Sequence, residues 1–344
     1  MFFALTDEQR EFDAAVRGYL ADRFDLAAVR AVVEARDPGD GHTGDGHPAT
    51  LWKAAAEQGW LAVLVPEEHE GLGLGLVEAQ VIARALGAGV APGPWRGTVL
   101  AAEAIRLAGS DDQRASWLPR LAAGDAVGAF AGRGSAPGML PAVEYGAIAD
   151  VLVAPAGEGL ALVTDGSATP RGSYDGTVRL ADVTAGAGAA LPGATTEVVS
   201  ELSARAAVLV AADLVGTARE ALNRTVAYDR ERRQFGVPVG SFQAIKHALA
   251  DLHVAVTLAE HAVLYAAHAL DARLDDRALT VSVAKAKAGD TALAATAAMI
   301  QYHGGIGYTW EHEAHLFYKR AKRLAAQAGS ADAHRARMAE LTIG

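Results

Sequence analysis

The chain of 344 residues contains no cysteine. Disulfides, zinc–thiolate centres and cysteine-ligated iron–sulfur clusters are therefore excluded. Aromatic residues are scarce at 6%, although 51% of the chain is hydrophobic, so alanine and small aliphatic residues must build most of the core. Such residues suit helices that approach one another closely. No uninterrupted apolar run reaches the roughly 18 residues that read as a membrane span. The opening MFFALTDEQREF lacks a basic n-region and a long apolar segment, so the expected location is the cytoplasm. Positive charge is not in excess: 31 Lys and Arg stand against 41 Asp and Glu, a net charge of −10. Non-specific nucleic-acid binding needs clustered cations and is disfavoured. The cluster Lys319, Arg320, Lys322 and Arg323 has the spacing of a solvated helix face.

Helical and strand-like stretches divide the chain in three. Thr6 is an N-cap candidate, with Gln9 placed for a capping box and Phe12, Val16, Tyr19 and Leu20 at helical spacing. A second helix is expected over residues 26–35. The segment DPGDGHTGDGHPA that follows is a loop by composition, and its His42, Asp45 and His47 read as surface residues, not as a metal site. Helical patterning resumes at Pro48. Gly71, Gly73 and Gly75 lack the preceding strand and following acid of a dinucleotide loop, and read as a turn before another helix. Helices are expected to run to about residue 123.

Between about Val127 and Thr195 the texture changes to short apolar runs, ADVLVAP, GLALVTD and GTVRLADV, separated by turn residues. Helical periodicity then returns. Phe242, Ile245, Leu249, Leu252, Val256, Ala259 and Val263 predict a long core-facing stripe. The expected architecture is mainly α with a small β domain: residues 1–126 helical, 127–197 β, and 198–344 a helical bundle. The length is enough to bury a sizeable core.

Two motifs stand out. YDRERRQFGVPVGSFQAIKHALAD, from Tyr228 to Asp251, places Arg230, Arg232 and Arg233 at a helix end, where cations complement the helix dipole. Guanidinium groups also hold phosphates in bidentate fashion. QYHGGIGYTWEHEAHLFYKRAK, from Gln301 to Lys322, has two adjacent glycines after a helix, suited to a C-cap and a tight turn. On these motifs and the helical–β–helical order, nearly the whole chain resembles the acyl-CoA dehydrogenase family. That family uses FAD to desaturate acyl-CoA thioesters between Cα and Cβ. Its fold has an N-terminal helical domain, a middle β domain and a C-terminal four-helix bundle. The resemblance implies that Arg232, Gln234 and Phe235, with Gly236, pack against FAD bound by a neighbouring subunit, the arginine on the pyrophosphate. Gln243 matches the family's Phe-Gln position. Gln301, Gly304 and Gly305 match residues that contact the adenosine part of FAD across the same interface.

The chain departs from the family in three ways. One usual site of the catalytic glutamate is a Glu-Gly-Thr turn before the last helix; here it reads Ala328, Gly329, Ser330. The other site falls on Ala206, beside Ala207, and alanine cannot take a proton. Asp213, seven residues later on the same helical face, is a substitute candidate displaced by roughly 10 Å along the axis; Glu201 lies on a different face, and Glu311, beside His312, looks structural. The family's flavin-clamping loop in the β domain has its nearest counterpart in GAFAGRGSAPGML, which keeps Gly134 and Ser135 but no acidic residue, and no Trp-x-Thr unit follows. The β domain is also expected to be shortened.

What is kept is what the family donates to another chain's flavin. What is lost is what holds a chain's own flavin and moves the proton. The resemblance therefore implies the shorter, glutamate-lacking subunit of an actinobacterial α2β2 acyl-CoA dehydrogenase of the steroid side-chain type, partnered by a larger glutamate-bearing paralogue. A self-sufficient dehydrogenase with an atypical base, and a family-fold scaffold binding neither flavin nor acyl-CoA, stay open as alternatives.

Overall fold

Thr6 starts the first helix with a reciprocal cap. The Gln9 amide donates to Thr6 Oγ1 at 3.2 Å, and the Thr6 amide donates to Gln9 Oε1 at 3.0 Å. The computed structural model describes residues 4–35, 46–132 and 138–343. The described chain divides into two compact units, one from residues 1–26, 80–91 and 207–344, the other from 27–79 and 92–206.

The 27–79/92–206 unit contains α2 (Leu26–Glu34) almost entirely, α3 (Ala49–Glu57), α5 (Trp95–Ala108), α6 (Asp111–Ala123) and seven strands. Ser110 and Gln113 repeat the reciprocal cap at the start of α6. The strands are β1 (Gly128–Phe130), β2 (Met139–Glu144), β3 (Val151–Ala156), β4 (Gly159–Val163), β5 (Gly166–Arg171), β6 (Leu180–Ala185) and β7 (Ala189–Ala190). They form two sheets, ordered β1-β3-β4-β7 and β2-β6-β5. Strand β3 is buried on both faces, and its side chains alternate between two cores. Val151 and Val153 pack with Ala101 and Ile105 of α5, while Leu152 and Ala154 pack with Leu140 and Val183 of the other sheet. The run GTVRLADV forms a strand only from Leu180 onward.

The 1–26/80–91/207–344 unit is helical. It holds α1 (Asp7–Arg23), most of α4 (Leu76–Ala88), the larger part of α7 (Thr196–Glu231), α8 (Gln243–Asp271), α9 (Arg277–His303), α10 (Ala314–Ala326) and α11 (Ala331–Ile343). The hairpin β8 (Arg233–Gln234) and β9 (Val237–Pro238) follows α7. Helix α9 packs against α8, α10 and α11. Two glycines set the contact of α4 with α7: a Cβ on Gly216 would lie 1.9 Å from the Arg84 carbonyl oxygen, and one on Gly87 would lie 2.1 Å from that of Asp213. No larger residue fits at either position without separating the backbones.

The expected stripe on α8 is only partly a core. Leu249, Val256, Ala259 and Val263 are buried, but Phe242 is 38% exposed and Ile245 and Leu252 are half-buried. Phe242 is the cap residue of α8 and packs instead on the hairpin. The basic cluster is not a uniform solvated face either, because Arg320 is buried. Among the described residues, no helix is long and apolar enough to cross a membrane.

Candidate functional site

Helix α7 stops at Glu231, so Arg230 lies in its last turn while Arg232 and Arg233 lie just beyond it. The Arg232 amide donates to the Tyr228 carbonyl at 2.8 Å, and its own carbonyl accepts from the Val239 amide at 2.7 Å. Between these bonds the chain makes a two-residue hairpin, with Gln234 opposite Val237. The turn residues Phe235 and Gly236 have φ of 53° and 81°, the pattern of a type I′ turn. A left-handed phenylalanine is strained by about 1–3 kcal/mol, and Phe235 is also 93% exposed. Its ring contacts Phe242 edge-on, at 6.2 Å between centroids. The Arg232 guanidinium is exposed and meets no acceptor among the described residues.

The second motif lies beside the first. Gln301 is exposed in the last turn of α9, and its carbonyl accepts from the Gly304 amide. Gly304 ends the helix at φ 66° and ψ −143°, a conformation open essentially to glycine. Gly305 has no such constraint, and a Cβ there would meet nothing within 4 Å. Tyr228 stacks on His303 at 4.4 Å, which joins the last turn of α7 to the glycine turn. His303 is buried and close to the carbonyl of Met299, 2.7 Å from Nδ1. Burial lowers its basicity, with His312 and Arg224 adding to that effect against the Met299 bond and Glu313. His312 lies 4.4 Å from His303, and Arg224 pairs with Glu313 at 2.9 Å.

The turn between α10 and α11 carries Ala328 and Gly329, at φ 54° and 94°. Its carbonyls are held from within the bundle. Fully buried Lys285 donates to the Ala325 and Gly329 oxygens at 3.2 and 2.8 Å. His334 Nε2 lies 2.8 Å from the Ala328 oxygen. Burial pushes the Lys285 ammonium down to about 8.

Residues 6–125 match the acyl-CoA dehydrogenase N-terminal domain and residues 196–342 match the acyl-CoA dehydrogenase C-terminal domain. Acyl-CoA dehydrogenase IpdE2 of Mycolicibacterium smegmatis is 36% identical over 320 residues, covering 92% of this chain and 93% of that protein. The chain belongs to the acyl-CoA dehydrogenase family. This is a family of oxidoreductases acting on acyl-CoA. A solved steroid acyl-CoA dehydrogenase, Tcur3481-Tcur3483, superposes with a TM-score of 0.87 at 27% identity, covering 98% of each chain. The ChsE4-ChsE5 complex from Mycobacterium tuberculosis shares the fold, with a TM-score of 0.88 at 23% identity over 99% of this chain and 98% of that one.

In this family member the two alanines stand in different surroundings. Ala328 is exposed in its turn, and Ala206 is half-buried on α7. Asp213 is 3% exposed and bound in a bidentate pair: Arg320 Nε donates to Oδ1 and Nη2 to Oδ2, both at 2.8 Å. Arg320 Nη1 also donates to the Ala91 carbonyl. A carboxylate so engaged ties two helices together and is badly disposed to collect a proton. Glu201 is likewise occupied, accepting from Arg205 at 3.0 Å. Glu311 is exposed.

The exposed groups around the two motifs suit a large anionic ligand bearing rings. An unpaired guanidinium, a glycine surface with open space above it, and the exposed rings of Phe235 and Tyr308 are what a dinucleotide would need. Gly134 and Ser135, the nearest match to the family's own-flavin loop, lie outside the described residues. So do His42 and Asp45; His47 packs edge-on to Trp52 at 5.0 Å. Among the described residues no group of three or more His, Asp or Glu could hold a metal.

Sequence reasoning overlooked the Tyr228–His303 stack, the Asp213–Arg320 pair and the buried Lys285. Each joins residues far apart in the chain. The one available signal was a charged residue inside a small apolar run, as at Asp213 and Lys285.

Proposed function

We propose that this chain is a subunit of an FAD-dependent acyl-CoA dehydrogenase, and that it completes a flavin site across a subunit interface without supplying the base. The supporting observation is the exposed hairpin. Phe235 is 93% exposed with an edge-on contact to Phe242, and among the described residues the Arg232 guanidinium meets no acceptor; both stand beside a glycine surface that has room for a ligand. In this reading Arg232 holds the pyrophosphate, Phe235 and Gln234 pack on the cofactor, and Gln301, Gly304 and Gly305 receive the adenosine part. FAD, once bound, supplies the acceptor for the hydride leaving Cβ of the acyl chain.

The base comes from elsewhere in the assembly. Ala328 and Ala206 cannot accept a proton, and Asp213 is committed to Arg320. The partner is a larger, glutamate-bearing paralogue in an α2β2 complex in the cytoplasm. Two of the similar solved structures carry paired names, Tcur3481-Tcur3483 and ChsE4-ChsE5, and the former is a steroid dehydrogenase. A steroid-derived acyl-CoA is accordingly the proposed substrate.

The test is co-expression with a neighbouring family member, followed by measurement of mass and of FAD per chain. A mixed tetramer that is yellow and active, with this chain alone colourless, is the expected result. A stable, FAD-saturated and active homotetramer of this chain would overturn the reading.

A further inference from the structure

Asp229 lies in the last turn of α7, between the stacked Tyr228 and the hairpin, and only 1% of it is exposed. Both carboxylate oxygens are buried, and neither has a hydrogen-bond partner among the described residues. The other buried aspartates of this helical unit are paired, Asp13 with Arg84 and Asp213 with Arg320. Asp229 is not.

The short strap that follows the hairpin lies against Asp229. A Cβ on Gly240 would lie 2.9 Å from the Asp229 carbonyl oxygen and 3.4 Å from its Cβ, so the strap lies flat on this turn of helix. The strap is held by its own bonds, Val239 to the Arg232 carbonyl and Phe242 to the Val239 carbonyl. Val237, Pro238, Val239, Gly240, Ser241 and Phe242 bring no charge. Arg230, Glu231, Arg232 and Arg233 flank Asp229 along the chain but are exposed, as are Lys246 and His247 at the start of α8. Buried His303 faces the same turn through Tyr228, and its Nδ1 is taken by Met299. None of these groups reaches the carboxylate.

A buried carboxylate with no donor is relieved either by taking a proton or by being uncovered. We propose that Asp229 is a positioning residue, a proton-linked latch that holds the strap of residues 237–242 closed while its carboxyl is neutral and lets it lift when the carboxyl ionises. Burial alone pushes this carboxyl up from the usual 3.8 to about 6. The closed strap therefore binds the proton better than the open one. Closure is strongest below about pH 4 and weakens as pH rises through about 6. The hairpin bearing Arg232, Gln234 and Phe235 is tied to the strap by the Val239–Arg232 bond. That part of the consequence, a looser grip on flavin at higher pH, rests on the proposed function; the latch does not.

The test is amide hydrogen exchange at Val239 and Phe242 in the purified protein, with the intrinsic pH dependence removed. Between pH 5 and 7.5 the protection of both amides is expected to fall on the order of tenfold. In Asp229→Asn, which keeps the shape without the titration, and in Asp229→Ala, protection should stay level across that range. Level protection in the unsubstituted protein overturns the latch, and so does the same fall in Asp229→Asn. Flavin retention by the assembled complex is followed in parallel. A tenfold fall in protection with unchanged flavin retention supports the latch and counts against the role given to Arg232.

Discussion

Tyr228 and His303 stack with ring centroids 4.4 Å apart and planes 26° from parallel. The two residues are the inner ends of the two family motifs, one a few residues before Arg232 and the other immediately before Gly304. Their contact turns two separate stretches of sequence into one surface. It also keeps the surface inside a single helical unit, so its shape depends on the contact between the last turn of α7 and the end of α9. An exposed cation, an exposed ring and an open glycine pair, the residues proposed to receive the flavin, flank this contact.

Arg232 provides the first prediction. Arg232→Ala should weaken flavin retention by the assembled complex by about 1.5–3 kcal/mol, the value of a charge-assisted hydrogen bond. Arg232→Lys should recover only part of it, because the planar fork is lost. The thermal midpoint of the isolated chain should not change, since the guanidinium has no partner among the described residues. Unchanged flavin content in the alanine variant would remove the assignment.

Gly305 separates ligand contact from folding. A Cβ at this position meets nothing within 4 Å among the described residues, so Gly305→Val should leave thermal stability within about 0.5 kcal/mol. Flavin retention should nevertheless drop, because the side chain occupies the ligand's approach. Gly304→Val is the contrasting variant and should destabilise the chain itself, since its φ of 66° with ψ of −143° excludes a β-branched residue. Equal losses of stability in both variants would refute the distinction.

Asp213 is expected to matter for stability and not for chemistry. Asp213→Asn leaves the Arg320 guanidinium buried without its counter-charge, which should cost about 3–5 kcal/mol. Turnover per flavin-loaded complex should remain, as it should in Glu311→Gln. Flavin bleaching by a saturated acyl-CoA under anaerobic conditions measures this. Loss of bleaching in Asp213→Asn at full flavin occupancy would identify the base in this chain.

Lys285 should leave a signature in alkaline stability. Its pKa falls from 10.5 to about 8 on folding, because burial disfavours the ammonium. Between those values the unfolded chain binds more protons than the folded one, so this group makes stability rise with pH from about 8 to 10.5. The gain amounts to about 3 kcal/mol across the window. Lys285→Met should abolish that rise, and denaturant midpoints of the two proteins across the range give the comparison. Parallel profiles would show that the lysine is not desolvated.

Local chemistry was legible without coordinates. The reciprocal cap of Thr6 and Gln9 and the loop before Leu76 both follow from interactions within a few residues. The β texture between Val127 and Thr195 was legible for the same reason, since alternation and turn residues are short-range signals. The stripe on α8 was overextended because periodicity says which residues share a face and not where a neighbour stops covering it; Phe242 and Ile245 lie beyond that cover. The two-residue hairpin was not legible, since phenylalanine is an unusual first residue for a type I′ turn.

The residues by themselves determined the family, the helical–β–helical order and the absence of a carboxylate at Ala328 and Ala206, because these are matters of residue type and spacing. Only the tertiary structure decided which charged groups are spent. Asp213 meets Arg320 across 107 residues, Lys285 reaches the Gly329 carbonyl across 44, and Asp229 is buried beside the Gly240 strap with no partner among the described residues. The physical reason is desolvation. Whether a charge is held, neutralised or left free depends on the water it loses and the partner it gains, and both are set by packing between distant segments.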